Sequence, residues 1–245
     1  MEFVSKTDIG KRRNNNEDYF LAKNISSDVS LFIVADGLGG YLSGEVASSM
    51  LSEYIKEEIE KIKDSLKKYD DDKICSTLRN IISEANTKIY NKEKEDEKYK
   101  GMGTTVVCVL VIKGVIYYFS VGDSRLYYID KDKNSIFQIT TDDTYVNELL
   151  KNGAITKEEA STHSQKHVLT KAIGVVQDID ITINRLAKND GYLLLCSDGV
   201  TNMLSNDDIL DIIKTSKFEN VAANIVNEAN INGGADNITV VVVNI

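Results

Sequence analysis

The chain has no proline, three cysteines, two histidines and no surplus of basic residues, its formal net charge being −9 over 245 residues. With neither a Pro-rich nor a Gly/Ser-rich stretch between its halves, it offers no linker. Its length allows one or two domains, and we read one, spanning 1–245. A chain this long buries roughly 70–75% of the surface its unfolded form exposes, enough for a large core. The negative charge and the lack of an extended basic stripe argue against a nucleic-acid partner. The apolar runs 31–35, 106–112 and 238–243 are too short to span a bilayer, and no signal-peptide pattern opens the chain, so no membrane partner is expected. Cys75, Cys108 and Cys196 form no CxxC pair and sit in apolar or helical contexts. They read as structural thiols of a reducing cytoplasm.

Acidic motifs scattered over the whole length are the strongest positive signal. They are Asn16-Glu17-Asp18, Asp36-Gly37-Leu38-Gly39-Gly40, Gly122-Asp123-Ser124-Arg125, Ser197-Asp198-Gly199 and Gly234-Ala235-Asp236-Asn237. Each puts an Asp at the end of a predicted strand or in the turn after it, mostly beside a glycine that lets the backbone bend sharply and approach an ion. Carboxylates drawn together from such distant positions repel one another unless cations lie among them. The candidates come from both the first and the last fifth of the chain, so both ends must meet in one site.

Strand-like runs rich in β-branched and aromatic residues cover 30–35, 104–112, 115–121, 125–129, 192–196 and 238–245. Lys113-Gly114 predicts a tight antiparallel hairpin. Apolar residues at helical spacing predict helices over about 44–62 and from Ile74 to Ile89, joined by a solvated segment, 63–73. Thr156-Lys157-Glu158-Glu159 and Ser205-Asn206-Asp207-Asp208 read as capping boxes, and a last helix covers 218–230, stopped by Gly233-Gly234. Antiparallel strands flanked by paired helices suggest an α+β fold of two packed sheets with helices outside.

The ligand types decide the metal class. Asp carboxylates and a backbone carbonyl are hard donors suited to Mg²⁺ or Mn²⁺. His163 and His167 are expected away from the Asp-Gly motifs, which argues against zinc. Two divalent ions about 3.5–4 Å apart lower the pKa of a shared water and aim it at phosphorus. Arg13, five residues before Asp18, can grip a phosphate bidentately; Lys11-Arg12-Arg13 taken alone reads rather as a basic surface turn, and the phosphate reading prevails because the carboxylate motifs follow.

Other phosphate motifs fail. Asp178-Ile179-Asp180-Ile181-Thr182 fits a DxDxT nucleophile pattern but follows no strongly apolar strand. Asp130 to Asn134 starts like a calcium loop yet lacks its glycine and closing glutamate, so a polar hairpin turn is expected. No Cys lies six residues before an Arg, and no GxxxxGK[ST] loop occurs.

In its ordered motifs the chain resembles the metal-dependent serine/threonine protein phosphatases of type 2C, in their compact bacterial form. The resemblance rests on Thr7-Asp8-Ile9-Gly10 with Arg13 and Asn16-Glu17-Asp18, 34–40 around Asp36, Gly101-Met102-Gly103-Thr104-Thr105, Gly122-Asp123-Ser124-Arg125, 168–172, 195–199 and 233–237, in the family's order over essentially the full length. It implies a four-layer α-β-β-α sandwich, two mainly antiparallel sheets flanked by helix pairs, with two to three Mn²⁺ or Mg²⁺ ions in a cleft at one edge. By motif position, Asp36 bridges two ions and the Gly37 carbonyl binds one. Asp198 and Asp236 bind the other, and Asp123, with Asp198, holds a third, weaker one. Glu17 and Asp18 hold waters on the metals, Arg13 binds phosphate, and about 144–166 forms a flap.

Two departures follow. Leu38 and Tyr41 stand where relatives carry histidines, so the proton for the leaving group must come from a water on a metal or from elsewhere. The flap also lacks the proline usual after His163, which reads either as a solvated loop residue or as a group on the substrate side. The implied activity is hydrolysis of phosphoserine and phosphothreonine in proteins by an enzyme expected to be monomeric, opposing a bacterial serine/threonine kinase. The alternatives are a phosphatase specialised for one regulator, such as an anti-sigma-factor antagonist, and a non-catalytic phosphoprotein-binding module of the same fold.

Overall fold

Alternation along the strands sets the layering. In the computed structural model, which describes residues 1–39, 43–130, 135–187 and 190–245, the third strand, β3 (Val29–Leu38), sends Leu31, Ile33 and Ala35 to one side and Phe32 and Val34 to the other. Both sets are fully buried. A strand covered on both faces reads as a continuous apolar run rather than as an alternating one.

Among the described residues the strands make two sheets, all their pairings antiparallel. The first runs in the order β1 (Glu2–Asp8), β11 (Ile238–Asn244), β10 (Gly191–Cys196), β7 (Arg125–Asp130), β8 (Ser135–Gln138). The second runs β2 (Asp18–Asn24), β3, β5 (Val106–Ile112), β6 (Val115–Val121), β9 (Asn184–Leu186), with the short β4 (Gly103–Thr104) also paired to β3. Lys113-Gly114 makes the turn of the β5–β6 hairpin, as expected.

Three cores separate four layers. Phe32, Val34, Val107 and Val109 meet Leu193, Leu195, Val241 and Val243 between the sheets. The outer face of the second sheet is covered by α1 (Ser43–Leu66) and α2 (Asp71–Glu93), through Leu51, Ile55, Ile59, Leu78 and Ile82. The outer face of the first sheet is covered by α6 (Asn206–Thr215) and α7 (Val221–Ile231), through Ile209, Ile213, Ile225 and Val226. The result is the α-β-β-α sandwich.

Helix α1 outruns the expected end near residue 62 because Leu66 still buries completely against the sheet. The connection shrinks to 67–70, where the Asp70 side chain caps α2 by accepting from the Lys73 N–H at 2.8 Å. Both expected capping boxes form, at Thr156 before α4 (Lys157–Thr162) and at Ser205 before α6. The expected turn at 131–134 lies outside the described residues, as does Tyr41. No helix among the described residues is long and apolar enough to cross a membrane.

Candidate active site

Antiparallel pairing brings the distant motifs to one edge. The register sets Asp18, at the start of β2, opposite Asp36, near the end of β3. It sets Cys196, the end of β10, opposite Arg125, the start of β7. Asp8, the end of β1, lies opposite Ile238, the start of β11. The β6–β7 turn with Asp123, the first turn of α5 (Asp198–Thr201) and the turn holding Asp236 therefore face the same sheet edge.

There they line a cleft of about 630 Å³ with Arg13, Glu17, Asp36, Gly37, Leu38, Asp123, Asp198 and Asp236 in its walls. Asp18 lies beneath, 7% exposed. Gly37 is needed for close approach: a Cβ there would lie 2.2 Å from the Gly44 carbonyl oxygen and 2.7 Å from that of Glu17. The backbone beside Asp36 thus meets the start of α1 and the Glu17 loop without a side chain between them.

Hydrogen bonds lock these pieces. The Ser197 hydroxyl donates to Asp18 Oδ2 at 2.7 Å and accepts the Thr239 N–H at 3.0 Å. Asn237 accepts the Glu17 N–H at 2.9 Å and donates to the carbonyls of Ile9 at 3.0 Å and Asn15 at 2.9 Å. It thereby pins the loop of Arg13 and Glu17 to the Asp236 turn. Asn202 Nδ2 donates to Asp198 Oδ2 at 2.9 Å. Arg13 Nη2 donates to Asp236 Oδ2 at 2.7 Å, and this bond, ahead of nearby negative charge, raises the guanidinium pKa.

The electrostatics are those of crowded acids. Burial, then the charges of Asp18, Asp198, Asp123 and Asp236, pushes Asp36 well above the ordinary carboxylate range. Burial, partly offset by hydrogen bonds from Thr239 and Ser197, leaves Asp18 pushed up to about 7. Burial followed by the charge of Asp198 takes Asp123 to about 7. Asp198 is raised by burial and by Asp236.

Two buried carboxylate oxygens, Asp18 Oδ1 and Asp198 Oδ1, have no hydrogen-bond partner. Unpaired buried acids fit hard divalent cations, whose charge removes the repulsion. Among the described residues no three acid, imidazole or thiol groups already converge as a direct ligand set.

One expectation is corrected. His167 does not lie away from the Asp-Gly motifs: with Lys166 and Leu169 it lines the cleft, and its charge acts on Asp198. The chain after α4, tied back by the Thr170 N–H on the Asp143 carbonyl at 2.9 Å, brings it there. His163 is instead held in its own turn, its Nδ1 accepting the Gln165 N–H at 3.1 Å and its ring 6.2 Å from that of Tyr145. The segment expected to form a flap, about 144–166, holds α3 (Tyr145–Lys151) and α4.

Sequence reasoning also gave no role to Ser197, Asn202 or Asn237. The available signal was their position: a hydroxyl or amide beside or one turn from each acid.

The model of the family described as protein phosphatase 2C matches residues 10–232. A putative protein phosphatase 2C-type of Streptococcus pyogenes is 34% identical over 250 residues, covering 99% of this chain and 97% of its own. The serine/threonine phosphatase of S. agalactiae superposes with a TM-score of 0.89 at 34% identity, covering 98% of both chains. The catalytic domain of the serine/threonine protein phosphatase PstP, solved in complex with two manganese ions, superposes with a TM-score of 0.81 at 29% identity, covering 98% of this chain and 96% of that one. The chain belongs to the protein phosphatase 2C family, and it is a metal-dependent serine/threonine protein phosphatase.

Proposed function

We propose that the protein dephosphorylates phosphoserine and phosphothreonine on phosphorylated proteins at the Asp36 cleft, opposing a serine/threonine kinase of a bacterial cytoplasm. The observation that carries this reading is the set of mutually raised, buried carboxylates at one sheet edge with Arg13 in the same wall. Asp36, the Gly37 carbonyl, Asp198 and Asp236 hold two ions, Mn²⁺ or Mg²⁺, and Asp123 with Asp198 holds a third. Bound there, the ions supply Lewis acidity and a water of lowered pKa.

Arg13 grips the phosphate oxygens bidentately, exchanging its bond to Asp236 for the substrate. Glu17 and Asp18 hold and orient water, and Ser197 fixes the Asp18 carboxylate by its 2.7 Å bond. Leu38 has no proton to give, so that wall of the cleft positions the substrate without acid catalysis.

The strand ends at the site come from the first and the last parts of the sequence, which supports a single domain over 1–245; we read it as a monomer. The net charge of −9 supports proteins rather than nucleic acid as substrates. Three free cysteines, two of them buried, support a reducing compartment. Phosphate release from a phosphothreonine peptide and from p-nitrophenyl phosphate, compared in Mn²⁺, Mg²⁺ and EDTA, tests the reading. Release with either metal and none in EDTA is expected, and undiminished release in EDTA would contradict it.

A further inference from the structure

Asp36 and Asp123 come from different strands, yet one buried side chain joins them. Thr105, between β4 and β5, accepts the Asp36 N–H on its hydroxyl oxygen at 3.1 Å, while its own N–H donates to the Asp36 carbonyl at 2.8 Å. The Thr105 and Ser124 hydroxyl oxygens are 2.7 Å apart, and both residues are 1% exposed. Ser124 is the immediate neighbour of Asp123. The other side of that turn rests on the same threonine. Gly122 has φ +94°, and a Cβ there would lie 2.7 Å from Thr105 Cβ and Cγ2.

We propose that Thr105 is a positioning residue whose hydroxyl bridge to Ser124 fixes the Asp123 carboxylate relative to Asp36 and so sets the affinity of the third ion. This rests on the assignment of Asp36 and Asp123 given above. Neither hydroxyl touches substrate. Each holds the backbone that carries a carboxylate, and water cannot take over a bond between groups this buried. Loss of the bridge falls on the Asp123 side. Asp36 keeps its pairing with β2, the Thr105 N–H and the Thr104 hydroxyl, which donates to its carbonyl at 3.0 Å. The Gly122–Ser124 turn keeps its bonds to Asp143, the Gly122 N–H donating to Asp143 Oδ2 at 3.1 Å and the Gly122 carbonyl accepting the Asp143 N–H at 2.8 Å.

Calorimetric titration of the full-length, metal-free protein with Mn²⁺ tests this, using wild type, Thr105→Val, Thr105→Ser and Ser124→Ala. Thr105→Val and Ser124→Ala should weaken the third, weak binding event about 10–100-fold, the usual effect of removing a partner that orients a metal ligand. In Ser124→Ala, which keeps the Thr105 hydroxyl on the Asp36 N–H, the two tight events should be unchanged, and Thr105→Ser should restore the weak one. Should Thr105→Val fail to fold, Ser124→Ala, which removes a single oxygen, decides the matter. A weak event unchanged while the melting temperature falls would make the bridge merely structural and overturn the proposal. A wild type with no third event would instead refute the assignment of Asp123, before any variant is compared.

Discussion

Arg13 Nη2 lies 2.7 Å from Asp236 Oδ2, so the guanidinium assigned to phosphate and a carboxylate assigned to metal hold each other. The two assignments are therefore separable by mutation. Arg13→Ala should lower kcat/KM about 10²-fold, through a raised KM and a smaller fall in kcat. Mn²⁺ should still bind, because the substitution frees Asp236, the carboxylate proposed for the metal, rather than removing it. Steady-state kinetics beside Mn²⁺ calorimetry check this. Greater damage from the exposed neighbour Arg12→Ala would show that the phosphate group is placed one residue off.

Asp123→Asn should leave two tight ions and remove the weak one. It should also slow an alkyl phosphate far more than an aryl phosphate, if Asp123 holds the water that gives a proton to the departing oxygen; a phenolate leaves with little help. Comparing a phosphothreonine peptide with p-nitrophenyl phosphate measures this. Equal losses on both would move the proton donor elsewhere in the cleft, where His167 is the imidazole in the lining.

Stability should depend on pH in opposite senses with and without metal. Asp18 and Asp123 are each raised to about 7, from about 3.9 in an unfolded chain. A carboxyl raised on folding holds its proton more tightly in the folded state. Its contribution is fully present below about pH 4 and is lost as the pH rises through about 7. The metal-free protein should therefore melt lower at about pH 7.5 than at about pH 5. Saturating Mn²⁺, which binds the ionised groups, should reverse that order. Scanning calorimetry in EDTA and in Mn²⁺ checks both, and a metal-free melting temperature flat across this window would contradict the crowding argument.

Asn237→Ala should cost about 2–3 kcal/mol, since three side-chain hydrogen bonds disappear and the Glu17 N–H loses its partner at a residue only 5% exposed. Activity should fall as well, because the loop of Arg13 and Glu17 is no longer tied to Asp236. Urea unfolding gives the first quantity and kcat/KM the second. A variant as active as wild type would show that the loop is held by other bonds.

The central strands were legible because both their faces are covered, so β3, β5, β6, β7, β10 and β11 read as apolar runs. The four strands that sequence reasoning did not find, β1, β2, β8 and β9, are the edges of the two sheets. Edge strands are half exposed and carry polar residues such as Lys6, Lys23 and Gln138, which erase the signal. The acids were legible because glycines and strand ends mark them. Ser197, Thr105 and Asn237 were not, because a hydroxyl or amide acquires its role only when chain segments far apart in sequence meet. His167 was misplaced for the same reason: its neighbours in sequence are polar, and its proximity to Asp198 is created by the return of the chain after α4.

The most direct test of the account is Mn²⁺ calorimetry and turnover of Asp36→Asn. Asp36 is buried among four other acids, and under the assignment proposed above it would hold both tight ions. Its neutral amide should leave the metal-free fold at least as stable as wild type by removing a desolvated charge. It should also abolish both tight binding events and turnover together. Wild-type affinity for both ions in this variant, or turnover that survives their loss, would contradict a reaction driven by metals held at Asp36.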